Sequence, residues 1–241
     1  MSAVPLRFPR IFLFGDSITQ WSFSTGGWGA MVADAFQRKC DVLNRGFTGY
    51  TSAYNRLILP SLLATDNTPE GSIVAVVILL GSNDSVLYDI DQRGLELEDY
   101  TDNLRNIIHQ FKQAGVPDKN IILMTPPPIC EEMYEKSCLE KGRKMNLCST
   151  RTKEFAHACL EVGLSQGVDI EDLHTSMHSS EDWQSLLSDG LHLSAAGNEF
   201  VGNQLVRLLH TKLDKLPDIL PEWSAIDPNN PENLLGKYNK Q

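Results

Sequence analysis

A chain of 241 residues, 41% hydrophobic and 22% charged, has the length for one large core and the composition of an ordinary globular protein. Its formal net charge of −10 argues against a nucleic-acid partner and against docking on an anionic membrane surface. The longest apolar run, Ile73–Leu80, is strand-sized and far short of the roughly 18 residues that a membrane span needs.

In chain order, the opening MSAVPLRFPRIFLF is broken by Pro5, Arg7, Pro9 and Arg10 and does not read as a secretory signal. The first predicted strand, 11–14 (IFLF), runs into Gly15-Asp16-Ser17. As a turn, this tripeptide supplies backbone freedom at Gly15 and a helix cap at Asp16 or Ser17; as a site, it presents Ser17 as a nucleophile at a strand end. The stretch WGAMVADAFQRK then predicts a helix with Met31, Val32, Ala35 and Phe36 on one face. A second strand, 41–44, leads into NRGFTGYTS with Gly46 and Gly49. The third, 73–80, is apolar throughout, as a central parallel strand covered on both faces should be, and leads into Gly81-Ser82-Asn83-Asp84.

The next helix carries Leu104, Ile107, Ile108 and Phe111 on one face and stops at Gly115. Strand 120–124 is followed by TPPPICEEMYE, a stiff proline loop placed to wall a site at this edge. A helical pattern over MNLCSTRTKEFAHACLEVG, a strand over 167–170, the segment SDGLHLSAAGN and a last helix over SAAGNEFVGNQLVRLLHTKL complete the alternation. From Leu216 the chain carries four prolines and loses periodicity, so the reading is one domain over 1–215 with a tail over 216–241 that wraps the surface or is partly disordered. Strand and helix in alternation predict an α/β fold with a doubly wound, mostly parallel five-stranded sheet and helices on both faces.

In such a sheet ligands bind beyond the carboxyl ends of the strands, where the small-polar clusters stand. A serine hydroxyl needs a base to take its proton, and an imidazole needs a carboxylate on its other nitrogen. Asp189 and His192, three residues apart, can meet locally and serve Ser17. Donors for the developing oxyanion are available from the backbone N–H groups of Ser17 and Gly49 and the side-chain amide of Asn83.

Together Gly15-Asp16-Ser17-Ile18-Thr19-Gln20, NRGFTGYTS, Gly81-Ser82-Asn83-Asp84 and SDGLHLSAAGNEF resemble the blocks of the SGNH (GDSL-type) hydrolase superfamily and, within it, the isoamyl acetate-hydrolysing esterase family. The resemblance covers about residues 11 to 200. It implies a flavodoxin-like sheet with nucleophile Ser17, Asp189 and His192 completing the triad, and oxyanion donors Ser17, Gly49 and Asn83. Gly46 competes with Gly49, and the match to the block favours Gly49. Two positions depart from the pattern: Ile18 stands where the short signature has Leu, and Tyr50 where many relatives carry Asp or Asn, at the rim of the site.

The expected activity is hydrolysis of short- to medium-chain acyl esters of small alcohols, with deacetylation of carbohydrates or lipase-like hydrolysis as the alternatives and a non-catalytic binding protein disfavoured. No cofactor and no metal are expected, and the partner is a small-molecule ester. Nucleic acid and membrane insertion are excluded; a homodimer stays open. Five cysteines (Cys40, Cys130, Cys138, Cys148, Cys159) with no CxxC or CxxH pairing read as reduced thiols, so a cytoplasmic location is expected, with organelle targeting left open. Asp16 is read as a structural turn residue, His174 and His178 as solvent-facing, and Trp21, Phe23 and Trp28 as core or rim packing.

Overall fold

The computed structural model describes residues 6–68 and 71–235. Five parallel strands, β1 (Arg10–Gly15), β2 (Asp41–Gly46), β3 (Ile73–Leu79), β4 (Ile121–Met124) and β5 (Asp169–Glu171), lie in the order β2-β1-β3-β4-β5. β1 pairs with β2 on one side and β3 on the other, so the chain turns back across β1 between the second and third strands. That reversal of strand order is the crevice where open α/β sheets hold their ligands.

Eight α-helices cover the sheet among the described residues: α1 (Ser17–Gln20), α2 (Trp28–Ala35), α3 (Ser52–Asp66), α4 (Leu97–Gln113), α5 (Glu131–Glu140), α6 (Ser149–Gln166), α7 (Leu173–His178) and α8 (Ala195–Lys212). Successive side chains of a strand point to opposite faces, and the two cores divide accordingly. Ile11, Leu13, Ala75, Val77, Leu79, Ile122 and Met124 pack with the helix residues Trp28, Val32, Val201, Leu205 and Leu209. On the other face Phe12, Phe14, Val76, Ile78, Ile121 and Leu123 pack with Leu59, Leu104, Ile108, Phe111, Phe155 and Val162. This two-sided burial is why the strands read as continuous apolar runs.

The strand expectations hold to within three residues at each end. The periodic helices 28–35, 97–113, 149–166 and 195–212 are in place. The 52–66 helix is not apparent in the sequence because Pro60 lies inside it. Proline cannot donate to the carbonyl four residues back, here that of Arg56, and Gln110 Nε2 of α4 donates to that carbonyl instead at 3.3 Å. The three prolines over 126–128 are followed by only Ile129 and Cys130 before α5, so the stiff loop is shorter than expected. His174 is buried in α7, its imidazole held near 4 first by burial and then by the neighbouring His178, which corrects the solvent-facing reading; His178 is exposed.

Beyond α8 the chain docks back on the turn between α2 and β2: Ile219 N donates to Arg38 O at 2.9 Å, Ile219 is buried, and Arg38 pairs with Glu222. The part of the tail over 236–241 lies outside the described residues. Among the described residues no helix is long and apolar enough to cross a membrane.

Candidate active site

β1 ends at Gly15, where a Cβ would collide with Thr19 Oγ1 and the Leu79 carbonyl, so only glycine lets the chain turn this tightly against β3. Asp16 then caps α1, its Oδ1 accepting from Ile18 N at 2.9 Å, and Ser17 opens the helix. As the first helical residue, Ser17 has an N–H with no partner inside the helix. Its hydroxyl is nearly buried and lies 3.0 Å from His192 Nε2.

His192 comes from a tight loop closed by the Leu187–Leu193 bridge and by Ser188 N donating to His192 O at 2.8 Å. On its other side, His192 Nδ1 lies 3.0 Å from Asp189 Oδ2 and 3.2 Å from Oδ1. Asp189 Oδ1 also accepts from the backbone N–H groups of His192 at 2.9 Å and Leu191 at 3.1 Å. Burial alone would push this carboxyl up; the hydrogen bonds from His192 and Leu191 outweigh it and hold the group well below the usual carboxylate range. Asp189 is therefore a fixed anion beside the imidazole. Trp21 lies against the His192 ring with centroids 4.4 Å apart.

The segment after β2 forms a turn in which Tyr50 N donates to Phe47 O at 3.0 Å and Gly49 takes a φ of +79°. Such a turn requires a positive φ at its third residue, which favours glycine there. Gly46 is spoken for: its N–H donates to Asn44 Oδ1 at 2.9 Å, and a Cβ on it would run into the backbone of Gln20. Of the two competing glycines, Gly49 is thus the one with a backbone N–H to offer.

After β3, Asn83 points its Nδ2 at Tyr50 O (3.1 Å) and at Asp16 Oδ2 (3.3 Å). Asp16 is fully buried, and desolvation is the main reason its carboxyl is pushed up to about 7. Its turn role is as expected; its contact with Asn83 is not evident from sequence. The next residue, Asp84, is also buried and pushed up to about 6 by desolvation, and its Oδ1 accepts from Ser52 N at 2.8 Å and from the Ser52 hydroxyl, joining the start of α3 to this loop. The structure thus brings Ser17, Gly49, Asn83, Asp189 and His192, drawn from four separate segments, to the carboxyl edge of the sheet. Tyr50 lies at the rim, its ring stacked on Phe47 at 5.2 Å and edge-on to Tyr54 at 5.7 Å. Trp21 and Phe23 are about half exposed, whereas Trp28 is core. Sequence reasoning missed Arg93, whose guanidinium reaches both the Gly49 carbonyl and Asn83.

Known proteins resemble this chain over most of its length. The family model described as GDSL-like Lipase/Acylhydrolase matches residues 13–200. The human isoamyl acetate-hydrolyzing esterase 1 homolog is 46% identical over 233 residues, covering 96% of this chain and 94% of its own. A GDSL esterase/lipase of Arabidopsis thaliana is 35% identical over 243 residues, covering 94% and 97%. Among solved structures, the lipase/acylhydrolase from Enterococcus faecalis superposes with a TM-score of 0.66 at 26% identity, over 88% of this chain and 98% of its own.

Proposed function

Because the chain belongs to the GDSL-like lipase/acylhydrolase family and is a carboxylic ester hydrolase, we propose that it cleaves short- to medium-chain acyl esters of small alcohols, of the isoamyl acetate type, through a Ser17–His192–Asp189 triad. The observation that carries this reading is the unbroken chain from Ser17 Oγ to His192 Nε2 at 3.0 Å and from His192 Nδ1 to Asp189 Oδ2 at 3.0 Å.

In this mechanism the neutral imidazole keeps its Nδ1 proton, hydrogen-bonded to the Asp189 carboxylate, and accepts the Ser17 proton at Nε2. Ser17 Oγ attacks the ester carbonyl, and the resulting oxyanion accepts hydrogen bonds from the N–H groups of Ser17 and Gly49 and the amide of Asn83. His192, now protonated, gives its proton to the departing alkoxide. Water then enters, loses a proton to His192 and attacks the acyl-enzyme; collapse releases the acid and restores Ser17.

The choice of small esters is supported by the name of the human relative, 46% identical, and by the half-exposed Trp21 beside His192, which offers an apolar wall to a small alkyl group. Five unpaired cysteines support a reducing compartment. The experiment is a fluorophosphonate probe followed by peptide mapping, with isoamyl acetate as competitor. Labelling at Ser17 that the ester suppresses is expected; labelling elsewhere would overturn the assignment.

A further inference from the structure

We propose that Arg93 is a positioning residue that orients the oxyanion donors Asn83 and Gly49. This inference rests on the oxyanion reading above and adds a residue to it.

A carboxamide has two faces that differ only in which atom lies where, and a 180° rotation swaps them. Whether Asn83 offers N–H groups or an oxygen to a reacting carbonyl depends on what surrounds it. Arg93 Nη1 donates to Asn83 Oδ1 at 3.4 Å, and the same nitrogen donates its other proton to Gly49 O at 3.0 Å. A guanidinium only donates, so it accepts no arrangement other than oxygen facing it. The carbonyl of Tyr50 and the carboxyl of Asp16, both acceptors, lie on the opposite side of the amide. The two constraints agree, and Nδ2 is held toward Tyr50 O and Asp16 Oδ2, the residue that precedes Ser17. Through the Gly49 carbonyl the same nitrogen pins the residue whose own N–H is the second donor.

Arg93 is itself held from behind. Its Nε donates to Asp91 Oδ1 at 3.0 Å and its Nη2 to Asp91 Oδ2 at 2.5 Å. Asp91 Oδ2 also accepts from Asn146 Nδ2 at 2.8 Å, and Asn146 Oδ1 accepts from the Tyr134 hydroxyl at 2.8 Å. Tyr134 belongs to α5, whose first turn also receives the acid–base loop: Cys130 N donates to Gly190 O at 2.9 Å, and a Cβ on Gly190 would strike the Tyr134 backbone. One short segment, 130–134, therefore braces both the base and the oxyanion side of the site. Planar, two-pronged pairing of this sort belongs to arginine; a lysine ammonium has no such fork.

The test is steady-state kinetics on p-nitrophenyl acetate for Arg93→Ala, Arg93→Lys, Asn83→Ala and the Arg93→Ala/Asn83→Ala double variant. Loss of one oxyanion donor costs about 10²–10³ in kcat, so misorientation of that donor by Arg93→Ala should lower kcat by about 10- to 100-fold with KM within about twofold. Arg93→Lys should recover part of this, and in the double variant the losses should fall clearly short of multiplying, because Arg93 acts through Asn83. Binding of a trifluoromethyl ketone inhibitor, which mimics the oxyanion, should weaken in parallel with kcat. A folded Arg93→Ala enzyme with normal kcat, a change confined to KM, or losses that multiply in full would overturn the proposal. Should Arg93→Ala fail to fold, Arg93→Lys carries the same comparison, and a kcat equal to wild type would overturn it. Near-normal kcat in Asn83→Ala would overturn the oxyanion reading as well, whereas a slow Asn83→Ala beside a normal Arg93→Ala would overturn only the role of Arg93.

Discussion

The indole of Trp21 lies 4.4 Å from the imidazole of His192, centroid to centroid, with the ring planes 42° apart. Trp21 follows Ser17 by one helical turn, so the segment that carries the serine hydroxyl also supplies a wall for the His192 ring. Contacts between such rings contribute about 0.5–1.5 kcal/mol. Trp21→Ala is therefore expected to lower kcat/KM by about two- to tenfold on short esters, with Trp21→Phe close to wild type. Equal rates for Trp21→Ala and wild type would show that the imidazole is held by Asp189 alone.

Ser17→Ala should abolish turnover while the fold persists, since the hydroxyl stands at the start of α1 and among the described residues its one side-chain partner is His192. What remains over water is the contribution of the oxyanion donors and binding. Near-normal turnover together with a native melting curve would remove Ser17 from the mechanism.

For Asn83→Ala the expected loss is about 10²–10³ in kcat with KM nearly unchanged, because in the proposed mechanism the amide acts on charge that develops only in the transition state. A pure KM effect would move Asn83 to ground-state binding.

The two buried carboxyls near the site give stability a pH dependence of definite sign. Asp84 titrates near 3.8 when unfolded and at about 6 in the fold. Between those values the folded state holds more protons, so stability falls as pH rises through about 6. Asp84→Asn keeps an oxygen for Ser52 and cannot ionise. The difference in stability between pH 4.5 and pH 7 should then shrink by about 1–2 kcal/mol, read from urea unfolding. An unchanged difference would place the proton elsewhere, with Asp16, pushed up to about 7, the next group to test.

Substrate length should separate esterase from interfacial lipase. Acetate and butyrate esters are expected to be cleaved faster than emulsified long-chain triglyceride. The loop after β3 carries Asp89, Asp91 and Glu96, the first turn of α4 carries Glu98 and Asp99, and the chain's net charge is −10, which opposes docking on an anionic lipid surface. Faster hydrolysis of the triglyceride, with activation at the interface, would refute this.

Much of this arrangement was legible in the sequence, for reasons that can be traced to particular residues. Ile73–Leu79 shows its two-sided burial as an unbroken apolar run, and Leu104, Ile107, Ile108 and Phe111 mark a helix face at the right period. Ser17, Asp189 and His192 could be picked out because each follows a strand or precedes a helix in a recognisable block. Helix 52–66 was not, because the defect at Pro60 is repaired by Gln110, fifty residues away, and a local pattern carries no trace of that repair. The burial of His174 was hidden likewise, since its cover comes from other elements. Arg93 sits in an acidic loop where the plain expectation is a solvated charge; its partners Asn83 and Gly49 lie 10 and 44 residues upstream.

The contact between Ser17 and His192 spans 175 residues of chain, which gives the enzyme a temporal property. In the proposed triad Ser17 is synthesised well before His192, which follows only after all five strands have been made. On the proposed mechanism, any nascent or truncated chain that stops before residue 189 carries Ser17 without the means to activate it. On that mechanism the growing polypeptide is silent toward esters until residue 192 has been made, and regain of turnover in a refolding experiment reports the long-range closure of Ser17 on His192 rather than the appearance of the sheet.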